Sequence, residues 1–204
     1  MRTRSLASKS RTCALPALAA LLVVVLAVAG CGLQTEEANK DLAQATKHQD
    51  EAEATLARLR AFPAEWETLF DVAKVGPDQV NRARELVSAR EKDVDALEQA
   101  LEEWEKDLGL IEKLNVEGKI KEYVRLKMNA VKSWQDYTSL NLRPLIKAYG
   151  GMLDIIAFGR PPAEQSAKAQ EITSLVAESV QKLEECRNSE KQADKYFQEN
   201  KLGK

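Results

Sequence analysis

Apolar residues recur along this chain at alternating steps of four and three, and the register is clearest in its middle. Val80, Ala83, Val87, Val94, Leu97, Leu101, Trp104, Leu108 and Ile111 fall on one stripe, with Arg90 as the single break. Hydrophobic positions averaging 3.5 residues apart form one seam of a long helix that packs against another, so the pattern predicts a coiled-coil or long-bundle element. At about 1.5 Å per residue this seam makes a rod of roughly 48 Å.

Turn residues divide the rest into pieces of similar length. Gly76-Pro77, the turn from Asn115 to Gly118 and the stretch from Gly159 to Pro162 leave four segments, 35–75, 77–114, 119–158 and 162–200. Pro77 and Pro162 suit the first turn of a helix, where the missing N–H has no intrahelical role. Short turns between long helices favour antiparallel neighbours. The fold class expected is all-α: an elongated, coiled-coil-like helical bundle of four long antiparallel segments.

The first segment has a thinner seam, Ala38, Leu42, Ala45, Gln49, Ala52, Leu56 and Leu59, which Pro63 is expected to interrupt. The last repeats the theme in Ala169, Ile172, Val176, Ser179, Leu183, Cys186, Ala193 and Phe197. The third departs from it. Ile120, Val124, Val131 and Trp134 form an ordinary helix face, after which Pro144 and Gly150-Gly151 require a kink or a restart. Residues 69–76 faintly echo 152–159, as a duplicated helical hairpin would leave, and as biased helical sequence also produces by chance.

The N-terminus has a different character. Arg2, Arg4, Lys9 and Arg11 precede an apolar run over residues 14–29, with no acid among them, which is the layout of an export signal. The run contains Pro16 and is marginal for a bilayer core that needs about 20 residues. It closes on Val28-Ala29-Gly30-Cys31, which resembles the lipobox of bacterial lipoprotein precursors. The resemblance is confined to this N-terminal part. It implies cleavage between Gly30 and Cys31, a diacylglyceryl group on the Cys31 sulfur, often a further acyl chain such as palmitate on its amine, and a place on the extracytoplasmic face of a bacterial membrane. That membrane is the cell membrane, or the outer membrane in a Gram-negative cell, with which Gly32 after the cysteine is compatible. Two acyl chains anchor stably where one is marginal, at roughly 0.8 kcal/mol per buried methylene. An uncleaved membrane helix and a plain secreted protein are the alternatives, and neither needs a cysteine there. On this division residues 1–30 are the signal peptide, 31–36 a lipid-anchored linker, 37–200 the bundle and 201–204 a tail.

Removal of residues 1–30 leaves 26 basic against 32 acidic residues, a formal charge of −6. An acidic balance argues against nucleic acid as a partner and against general binding to anionic lipid. Cys13 leaves with the signal and Cys31 is the anchor, so Cys186 stands alone and no internal disulfide is expected. It is either a small buried hydrophobe or an intermolecular thiol.

Candidate chemistry is sparse. His48 stands among Lys47, Gln49 and Asp50, where a solvated position is expected, and it is the only histidine. A zinc site or a nucleophile–His triad cannot be assembled around it, and the Glu-x-x-His spacing of di-iron bundles is absent. No catalytic residue, metal or cofactor is expected. Arg90 either selects register by pairing with a carboxylate across the bundle or lays its stem along the core and reaches water. Trp66, Trp104 and Trp134 are expected in the core.

The function that follows is a membrane-tethered binding or scaffolding module for an envelope protein or the cell wall, with peptidoglycan as one candidate partner. It is broadly similar to coiled-coil lipoproteins regarded as cell-wall binders in Gram-positive bacteria, without a shared motif. A lipid-anchored subunit of a secretion or transport assembly is the alternative, and an envelope enzyme the third. Residues 140–158 crowd more apolar surface than one helix stripe can bury. Leu145, Ile146, Tyr149, Met152, Ile156 and Phe158 are therefore the candidate partner surface, against the competing reading that the stretch seals the bundle core.

Overall fold

The structure is a computed structural model that describes residues 34–70 and 76–202. Gly30 and Cys31 of the lipobox, and part of the 69–76 echo, lie outside those residues. Five helices, α1 (Thr35–Phe70), α2 (Pro77–Lys113), α3 (Gly118–Tyr137), α4 (Arg143–Ala157) and α5 (Pro162–Glu199), account for nearly all of the described chain. One π-helical turn, Thr138–Leu142, joins α3 to α4, so the five helices form the four long segments of an all-α bundle. α2 packs against α1, α3 and α4, and α5 packs against α3 and α4, whereas α1 makes its close backbone approach, among the described residues, to α2 alone.

That approach depends on residue size. Ala38, Ala45 and Ala52 repeat every seven residues and are almost wholly buried, so the lower part of α1 has only methyl groups to hold it away from α2. Higher up, the same stripe carries Leu59, Phe62 and Trp66. There the rings of Phe62 and Trp66 each lie 4.7 Å from Tyr149 of α4. Aromatic rings thus bridge to α4 where the backbones do not meet.

Pro63 does not interrupt α1 as expected. The helix runs through it to Phe70, giving up the one hydrogen bond to the Leu59 carbonyl. Buried Leu59 and Phe62 and the packed Trp66 offset a proline cost of about 3 kcal/mol. At Pro144 the expected restart takes the form of a π turn, after which α4 begins at Arg143. The π turn lets the Arg143 N–H reach back to the Thr138 carbonyl and places Pro144 in the first turn of α4, where no N–H is needed.

The ends of the bundle are closed by specific bonds. Gly159 adopts φ 59°, and the Arg160 N–H donates to the Ile155 carbonyl at 3.0 Å, so a left-handed glycine ends α4. At the opposite end Lys201 takes φ 52°, the Leu202 N–H donates to the Phe197 carbonyl at 3.2 Å, and Leu202 is buried. Residues 201 and 202, expected in a tail, therefore belong to the fold. So do 34–36, expected in a linker. Thr35 starts α1, the Gln34 N–H donates to the Asn115 carbonyl at 2.9 Å, and the Asn115 N–H donates to Gln34 Oε1 at 2.9 Å.

If the alanine seam sets the α1–α2 spacing, Ala45→Leu forces three more carbons into a closed interface. It is expected to cost about 1–3 kcal/mol and to lower the thermal midpoint by several degrees. Ala43→Leu, on the exposed face of the same turn, is expected to leave the midpoint within a degree or so.

Candidate functional site

The candidate partner surface divides into two. Leu145, Ile146 and Tyr149 are buried, Ile146 at 2% exposure, and they belong to the core that α4 shares with its neighbours. For these three the core-sealing reading holds, because the π turn and Pro144 keep the stretch helical and rotate them inward. Met152 and Ile156 are half-buried. Phe158 is 73% exposed at the turn before α5, at the end of the bundle that also carries Trp66, Phe70 and Gly76.

Polar side chains hold α1 to α2 in register. Arg90, the break in the α2 seam, donates to Asp93 one turn on and to Glu65 of α1 at 3.1 Å. Arg58 of α1 donates to the other oxygen of Asp93 at 2.8 Å. The chain Arg58, Asp93, Arg90 and Glu65 thus crosses the hairpin twice, which is the register-selecting use of a polar seam residue. His48 is not the solvated residue expected: its ring is largely covered, with Nδ1 3.1 Å from Glu51 and Nε2 3.6 Å from buried Asp107 of α2. Between α2 and α4, Arg143 forks onto Glu98 and also reaches Asp95 at 2.7 Å.

A second polar group lies between α3 and α5. Lys127 is 5% exposed and donates to Asp194 at 2.9 Å, with its ammonium 5.9 Å from the Tyr123 ring centroid. Burial opposes its charge, but Tyr123, Asp194 and Glu190 outweigh that and raise its pKa. Burial also raises the Glu190 carboxyl, against the opposing effects of Lys127 and the Trp134 side chain. Over the same Trp134 the guanidinium of Arg60 sits 6.0 Å from the ring centroid. Trp104 and Trp134 are buried as expected, and Trp66 is half-buried among Phe62, Phe70 and Tyr149.

The Cys186 thiol donates to the Ser133 carbonyl at 3.1 Å, and burial pushes it up to about 12. It is neutral and shielded, the small buried hydrophobe rather than the intermolecular thiol. The open groove between α2 and α4 is lined by Arg84, Glu91, Lys147 and Asp154 around Gly150 and Gly151, and it carries both signs of charge. Among the described residues no group of His, Cys, Asp and Glu is arranged to hold a metal.

Sequence reasoning overlooked Lys127, Asp107 and Glu190. The signal for Lys127 was present, since it continues the four-and-three step from Val124 to Val131. Glu190 carries the same mark, since it fills the four-and-three step between Cys186 and Ala193; it is half-buried, with the Trp134 side chain as a partner. No family model, curated protein or solved structure matches the chain.

Two outcomes are expected. Ile146→Ser removes a core contact and lowers the thermal midpoint by several degrees, as buried aliphatic truncations cost about 2–5 kcal/mol, whereas Phe158→Ser leaves it unchanged. The second concerns pH. The folded protein keeps a proton on Glu190 above the ordinary value of 4.5, so this residue's contribution to stability is full below that value and falls as pH rises through the raised folded pKa. Thermal melts across pH are expected to show that falling limb flattened in Glu190→Gln, with a higher midpoint than the parent at pH 7.

Proposed function

We propose that this chain is an extracytoplasmic bacterial lipoprotein, tethered by lipid at Cys31, whose helical bundle binds or scaffolds an envelope protein or the cell wall. The observation that carries the reading is the closure of the apolar run on Val28-Ala29-Gly30-Cys31, after a basic start without acids. A bundle that begins at Gln34, three positions beyond that cysteine, fits a domain meant to be held close to its anchor. Its length fits the role as well, because the 37 residues of α2 span about 55 Å. The partner surface is the end remote from Cys31, where Phe158 projects beside Met152 and Ile156. The buried polar groups serve register and packing on this reading, and no catalytic role is assigned to them.

Cys31→Ser in the full precursor removes the sulfur that carries the lipid. Fractionation of cells producing it is expected to show the protein in the soluble or secreted fraction, while the parent stays with the membrane; retention of the variant in the membrane would overturn the proposal. Cosedimentation of the parent with purified peptidoglycan, compared with crosslinking in cells from position 158, separates the cell wall from a protein as the partner.

A further inference from the structure

The three-residue interval between Cys31 and Gln34 has a geometric consequence. Gln34 is joined to the α2–α3 turn at both its backbone and its side chain, each bond to Asn115 at 2.9 Å, and Thr35 beside it is buried. A chain reaches at most about 3.3–3.6 Å per residue, so the three-residue interval can span no more than roughly 10 Å from that clasp. The rod is several times longer than this tether. A cysteine whose acyl chains enter the hydrocarbon layer therefore draws the turn at 114–118, with the C-terminal end of α5, to the headgroups.

Charge decides between an upright and a recumbent rod. The mature chain carries 26 basic against 32 acidic residues, so a rod laid along an anionic bilayer meets net repulsion. The base carries both signs, with Lys113, Lys119 and Lys201 beside Glu36, Glu112 and Glu117, and tolerates close approach. We propose that the base of the bundle is a bilayer-facing surface, and that the short clasped tether stands the rod upright with Phe158 held at a fixed height above the membrane. This rests on lipidation of Cys31.

The test uses the full lipidated chain in vesicles of phosphatidylcholine and phosphatidylglycerol containing a headgroup-attached quencher. A fluorophore is placed by Lys119→Cys or by Arg160→Cys, both at exposed positions, while buried Cys186 stays unlabelled. Quenching at 119 is expected to exceed that at 160 several-fold, and to lose that excess when fifteen Gly/Ser residues are inserted after Gly32. Equal quenching at the two positions with intact mass showing the lipid on Cys31 would overturn the upright geometry alone. An excess that survives the insertion would overturn the tether as its cause, and an intact mass without lipid would overturn the anchoring on which both depend.

Discussion

The spacing between α1 and α2 is the constraint on which the remaining structure depends. α1 has close backbone contact, among the described residues, with no other helix, so its position in the bundle follows from how deeply it settles on α2. Ala38, Ala45 and Ala52 bring the lower part in close, and the exchange of methyl groups for Leu59, Phe62 and Trp66 fills the wider space above. The same gradation takes Tyr149 out of solvent, since its ring completes the aromatic group formed by Phe62 and Trp66.

A seam of alanines fixes distance but discriminates poorly between neighbouring registers, because one methyl group substitutes readily for another. Directional bonds supply what the seam lacks. Gln34 with Asn115, and Arg58 and Arg90 about Asp93, pin the hairpin at two heights, with His48 lying 3.6 Å from Asp107 between them. A slip of one turn would break both and leave the largely buried Arg90 and Asp93 without their partners in α1, where a poorly compensated charge is costly. These interactions gain little as isolated ion pairs; their value is in specifying one arrangement.

The two ends of the rod differ in construction. The lower end gathers the start of α1, the α2–α3 turn and the finish of α5, all closed by backbone bonds. The upper end leaves Phe158 in solvent next to a left-handed glycine.

Periodicity along the chain was sufficient to determine the helices, their approximate limits and the core of α2, because a four-and-three spacing buries the same stripe whatever the helix packs against. The signal-like run and its cysteine were equally a property of the residues alone. Tertiary structure decided what local pattern could not. Pro63 sits within a continuous helix because packed neighbours outweigh its missing bond. Leu145, Ile146 and Tyr149 lie inside while Phe158 lies outside, because one π turn resets the face that α4 turns to the core. Lys127 is buried and Glu190 half-buried because α5 closes over α3; both stand on the four-and-three stripes of their helices, but a stripe does not say which charged and aromatic groups will meet a residue there.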